Sequence, residues 1–357
     1  MTAAKLDWTM GSRAAVLVDW EAAHQTGRRI AGAGPSTAAA ERARIREDLA
    51  ELVPRAEIRV RAFTQLVPEG ARARPWVMSR SEWIGANLGG LQRLLEPLAE
   101  RLVPEGKGRS GLRRKALGAQ IGGLFGYVSK KVLGQYDAFL PLDDEGMIYF
   151  VGPNLVETER RFAVPARDFR LWVALHETTH RVQFGATPWL RTYLKRQIDT
   201  YLGTVQVDTR QLVDQLRRAV DEARTGNAPK GVNGILLLLT PEQRELFKKM
   251  QALMSLLEGH ASFVMNEVGA EEIRDLDRLK RSLKQRRQAA GIERSFQRAI
   301  GFDQKISQYD AGEAFVRGVV DRVGIDGFNL IWQSEANLPT IDEVPVPERW
   351  VARVVGP

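Results

Sequence analysis

The chain has 357 residues, 44% hydrophobic and 27% charged, a balance that excludes a disordered or fibrous protein and suggests about two domains at roughly 150 residues each. It contains no cysteine, which excludes disulfides, cysteine nucleophiles, cysteine-held iron–sulfur clusters and thiolate zinc sites; a metal would have to be held by His, Asp or Glu. The 52 Lys+Arg against 44 Asp+Glu give a net charge of +8, but the basic residues are spread beside acids and accompany no nucleic-acid motif, so no nucleic-acid partner is expected.

The apolar run Ala14–Val18 is too short for the core of a signal peptide. Ser36 or Thr37 can cap a helix through Ala38–Leu52, ending before Pro54. Ile58–Phe63 reads as a short strand or as the approach to the next helix. A helix opens at Ser81, with Trp83, Ala86, Leu91, Leu94 and Leu95 at helical spacings, and Pro97 should kink or end it. The glycine-rich, basic stretch Gly106–Gly111 reads as a loop. Gly118, Gly122, Gly126 and Gly134, spaced in multiples of four, predict a helical ridge of small residues packed closely on a neighbouring helix. Ala116–Val128 falls short of the roughly twenty residues a membrane span needs, and a cytoplasmic protein without a span is expected.

Turn residues Pro141, Asp143, Asp144 and Gly146 precede Met147–Val151, rich in β-formers and read as a strand that Gly152–Pro153–Asn154 ends. An amphipathic helix is predicted over Thr209–Arg224, and the Gly/Asn/Pro stretch Thr225–Gly234 reads as a hinge. It would separate an N-terminal lobe, residues 1–225, from a helical C-terminal lobe, residues 235–357. Thr240–Pro241–Glu242–Gln243 carries a capping box with Pro at the first helical position, opening a helix to about Val268. Arg274–Arg287 should be a helix with a basic solvated face, and Ala336–Pro357 an extended strap.

The chemistry concentrates in His176–Glu177–Thr178–Thr179–His180. On a helix, residues four apart share a face, so both imidazoles reach one metal, while Glu177, turned by about 100°, is placed to act as general base on the metal's water. Chance would produce an HExxH roughly 0.003 times in such a chain. The flanking residues Phe169–Leu175 are apolar apart from Arg170, and burying two histidines and an acid there is costly unless they are satisfied. Asp168 can cap this helix; Gly185 and Pro188 should stop it.

A third ligand is needed. The residues after His180 lack the glycine and histidine of the metzincin continuation, so it must come from elsewhere. Glu258, 78 residues beyond His180 in a mostly apolar helix, would complete a His2Glu set of the gluzincin kind. His260 and Glu267 are alternatives, as is an aspartate; Ser262 is a candidate to support a ligand.

The stretches Asp168–Glu177 and Thr179–Phe184, with Pro188–Trp189–Leu190, resemble the zincin-like hydrolase family common in actinobacteria. Leu257–Ala261 with Val264–Met265, and Lys305–Tyr309 with Gly312 and Phe315–Val316, are similar to its second and third motifs; Glu82–Trp83, Ala86–Asn87 and Gly152–Asn154 add weaker matches. Asn266 departs from an expected aspartate. The resemblance implies a mainly helical α+β zincin fold, with a Zn2+-bearing active-site helix under a small sheet whose edge strand, a part that Met147–Val151 fits by composition and by its place before the helix, binds extended peptide or protein substrate. It makes Tyr309 a candidate oxyanion donor, the other reading being a packed core tyrosine. It also suggests a branch tied by gene association to deazaflavin coenzyme biosynthesis. The function expected is zinc-dependent hydrolysis, with Glu177 as base; a non-catalytic scaffold of the same fold and a nucleic-acid-associated basic protein are the alternatives.

Overall fold

A computed structural model describes residues 12–36, 39–102, 110–136, 146–204, 240–281 and 303–356, the side chains of 303–310 excepted. It is mainly helical with one small mixed sheet, as the sequence predicts. The chain divides into two compact units, Met1–Arg61 with Glu69–Val182, and Ala62–Pro68 with Gln183–Pro357. The predicted hinge Thr225–Gly234 and helix Thr209–Arg224 lie outside the described residues.

The first unit contains α1 (Ala14–Leu17), α2 (Trp20–Ala31), most of α3 (Ala39–Thr64), β1 (Arg74–Met78), α4 (Arg80–Leu102), α5 (Gly111–Val128), β2 (Gly134–Tyr136), β3 (Met147–Val151), α6 (Gly152–Phe162) and most of α7 (Ala166–Ala186). α3 runs through Pro54 and absorbs Ile58–Phe63, contrary to both expectations. An interior proline costs about 3 kcal/mol. Here Ile45, Leu49, Leu52, Val53, Ala56 and Val60, all fully buried, supply more than that in apolar burial. Pro97 is likewise carried inside α4.

The glycine ridge is real in part. Gly118, Gly122 and Gly126 lie buried along α5, and a Cβ on Gly122 would come within 2.1 Å of the Ala23 carbonyl oxygen, so α5 rests directly on the backbone of α2. Gly134 is not on that helix: it opens β2, after α5 has ended at Val128.

Met147–Val151 is a strand, but the sheet order is β1-β3-β2, so it is the central strand and not an edge. β1 pairs with it in parallel and β2 antiparallel, with Gln135 opposite Tyr149. The burial of Ile148 through Val151 on both faces fits a central position better than an edge. Gly152–Pro153–Asn154 does end the strand, by starting α6.

The second unit contains α8 (Pro188–Thr204), α9 (Pro241–Glu272), α10 (Asp303–Asn329) and α11 (Pro347–Val354). The capping box at Thr240 forms in both directions: its hydroxyl accepts from the Gln243 N–H, and the Gln243 amide oxygen accepts from the Thr240 N–H. α9 passes Gly269 and ends at Glu272. α9 and α10 cross where a Cβ on Gly259 would fall 2.2 Å from the Gly312 carbonyl carbon, so only glycine pairs allow this approach. Gly324, at φ 70°, breaks α10. The C-terminal segment is not an extended strap: a 3-10 turn at Glu335–Asn337 leads into it and it folds into α11, whose Trp350 is fully buried against Phe315. Of the basic segment Arg274–Arg287, residues 276–281 are helical and 282–287 lie outside the described residues. Among the described residues no helix is long and apolar enough to cross a membrane.

Candidate metal centre

α7 is buried on most of its circumference, with Phe169, Leu171, Val173, Ala174, Leu175 and Val182 among its buried residues, which marks it as a core helix. It starts two residues before Asp168, which therefore sits in the first helical turn and does not cap it. Ala186 ends it, before the expected stop at Pro188. Arg170, the one charged residue in the apolar run, is anchored inside the unit. Its guanidinium donates to both Glu159 oxygens at 2.8 Å and to Asp48 at 2.6 Å, tying α7 to α6 and α3. Burial pushes the Glu159 carboxyl above its ordinary pKa, and the Arg170 bonds offset only part of that.

One turn apart on α7, His176 and His180 bring their Nε2 atoms to 3.2 Å with ring planes at 90°. Two nitrogens on a tetrahedral zinc, each at about 2.0–2.1 Å, would be separated by about 3.3 Å. The two rings thus already have the spacing of one edge of a zinc tetrahedron. Among the described residues, His176, His180 and Glu258 are a group that could hold a metal ion, one ligand atom of each lying within 4.8 Å of the others. Two neutral nitrogens and a carboxylate, all partly buried, are the donor chemistry of a zinc site with an open fourth position.

Of the alternatives for the third ligand, His260 and Glu267 have other partners. His260 is buried, stacked on Phe328 at 5.2 Å and near Trp332 at 5.3 Å. Its Nδ1 lies 3.0 Å from the Gln183 amide nitrogen, which also donates to the Leu257 carbonyl at 3.0 Å. Because that nitrogen faces a carbonyl, it is the donor to His260 as well, and His260 Nδ1 accepts. Glu267 pairs with Arg317 at 2.9 Å, and Asn266 donates to Glu313 at 2.9 Å. Tyr309 lies on α10, with its side chain outside the described set. His24 Nε2 lies 3.3 Å from the Ser81 carbonyl oxygen.

Glu177 is buried, and its Oε2 accepts from the Tyr136 N–H of β2 at 3.0 Å. β2 is itself clamped. The Trp83 indole donates to the Gln135 side chain at 2.6 Å, and Gln135 donates to Asn87 at 3.0 Å. The Asn154 amide donates to the Ser129 and Val132 carbonyls at 2.7 and 2.5 Å, and its oxygen accepts from Arg80 at 2.7 Å, holding the turn that feeds β2. Trp83, Asn87 and Asn154, which lie in the weaker family matches, thus fix the strand that touches Glu177. Sequence reasoning missed β2 altogether: three residues are too few for a period-2 pattern. It also missed Gln183, whose only signal was a polar residue on a buried helix.

With the geometry of the histidine pair in view, the comparisons place the chain in a family. It belongs to the Zincin-like metallopeptidase family, whose profile matches residues 18–351. It is also similar to a solved structure from Chloroflexus aurantiacus described as a "putative hydrolase with a novel fold", at 33% identity over 94% of this chain and 98% of that one, with a TM-score of 0.70. No curated protein matches the chain.

Proposed function

We propose that the protein is a zinc-dependent hydrolase of peptide bonds, with His176, His180 and Glu258 as metal ligands and Glu177 as general base. The observation that carries this reading is the meeting of two imidazoles and a carboxylate within 4.8 Å, two of them at a tetrahedral edge spacing. Zinc held there would acidify water and polarise the scissile carbonyl. Glu177 follows His176 on the helix and is turned away from the ligand face, so it accepts the proton of the attacking water and returns it to the leaving amine. The buried α7 around it keeps bulk water from that carboxylate.

Since Met147–Val151 is internal, the substrate strand belongs on an edge, and β2 is the edge that touches Glu177. Tyr309 remains the proposed oxyanion donor, and the link to the deazaflavin branch belongs to the same proposal; both rest on the motif resemblance. The test is a peptide library screened with and without chelator, using wild type and Glu177→Gln. Glu177→Gln should keep its zinc and lose about 10²-fold or more of a chelator-sensitive cleavage. Cleavage that survives the substitution refutes Glu177 as base, and zinc absent from wild type purified in zinc-replete medium refutes the metal.

A further inference from the structure

Gly134 stands on β2 directly beside Glu177. A Cβ built on it would lie 2.6 Å from Glu177 Cγ and 3.0 Å from both Cδ and Oε1; the three nearest atoms all belong to this one side chain. Two residues on, the Tyr136 N–H holds Glu177 Oε2 at 3.0 Å. The strand pairing explains why that N–H points at the acid. Val151 N–H donates to the Leu133 carbonyl, so Leu133–Val151 and, two residues on, Gln135–Tyr149 are the hydrogen-bonded pairs of this antiparallel ladder. Tyr136, in the intervening register, turns its N–H away from β3 and toward the outer side of the sheet.

We propose that residues 134–136 form a cradle that positions Glu177: Gly134 is a positioning residue whose missing side chain admits the acid's stem, and the outward Tyr136 N–H fixes Oε2. The proposal rests on the reading of Glu177 as the base for its consequence in catalysis, though not for its geometry. It has a corollary for substrate: a peptide adding to the β2 edge pairs with backbone groups other than the Tyr136 N–H, which the general base already holds.

The test is a thermal double-mutant cycle on the full chain, joined to amide exchange. Gly134→Ala should lower the Tm by about 2–4 °C in wild type, the size of an overpacked site in a chain of this length, and by no more than about 1 °C in a Glu177→Ala background, where the Cβ meets an empty space. Independently, Glu177→Ala should speed exchange of the Tyr136 amide about tenfold or more while the Gln135 amide, bonded inward to Tyr149, stays unchanged. If Gly134→Ala alone does not fold, folding of the double variant supports the cradle, and its failure to fold overturns it. Equal Tm losses in both backgrounds, or a Tyr136 amide indifferent to Glu177, also overturn it. None of these readouts needs metal or substrate. A coupled cycle in a protein without chelator-sensitive cleavage keeps the cradle and removes the hydrolase reading; an additive cycle with intact cleavage does the reverse.

Discussion

Removing one imidazole from the His176–His180–Glu258 group should abolish the thermal response of the protein to zinc. The two Nε2 atoms stand 3.2 Å apart, close to the tetrahedral edge of about 3.3 Å, so little reorganisation opposes metal entry in the native state. The unfolded chain has no such preformed set, and binding therefore stabilises the fold. At free zinc one hundred times the Kd, the gain is about 2.7 kcal/mol. An unfolding entropy of roughly 2.1 cal/mol/K per residue gives about 0.75 kcal/mol/K for 357 residues, so the Tm of metal-stripped wild type should rise by about 4 °C on zinc addition. His180→Ala leaves two donors and should rise by less than about 1 °C. The assay is differential scanning calorimetry of chelator-treated protein across a zinc series, with elemental analysis of the same samples. An identical rise in wild type and His180→Ala would show that zinc binds elsewhere; no rise in wild type, with no retained metal, would refute the site.

Two further outcomes follow from the packing. Gly122→Ala should destabilise by about 1–2 kcal/mol in chemical denaturation, since a Cβ 2.1 Å from the Ala23 carbonyl oxygen outweighs the helix propensity gained, whereas Gly123→Ala, whose nearest contact is Ile30 Cδ1 at 3.6 Å, should stabilise by up to about 1 kcal/mol. At the C-terminal end, burial would raise the Glu343 carboxyl, but Arg353 and the Thr340 N–H outweigh it and hold its pKa below the ordinary value. A depressed folded pKa gives stability that is present above the unfolded carboxylate pKa and is lost as pH falls through the folded one. Glu343→Gln should therefore flatten the fall in unfolding free energy between about pH 5 and 3, by no more than about 1 kcal/mol because Arg353 is partly exposed; an unchanged pH slope would refute the linkage.

The HExxH helix, its two histidines on one face, and a carboxylate in the apolar helix after Thr240 were legible because each is a local pattern: a spacing of four fixes a shared face whatever surrounds it. The same locality explains the reading of the capping box and of Met147–Val151 as a strand. Where the sequence misled, a non-local term had won. Pro54 and Pro97 stay inside helices because burial of their neighbours exceeds the local penalty. Met147–Val151 became central through pairing with β1, 73 residues earlier in register, and with a three-residue strand too short to announce itself. Gly134 shared the spacing of the α5 glycines yet serves the space around Glu177, a contact across 43 residues that no periodicity encodes. The residue types able to hold a metal were thus set by the sequence alone. Which carboxylate lies near the histidines, and which strand holds Glu177, depended on packing between distant segments, where contact energies and not local propensities decide the outcome.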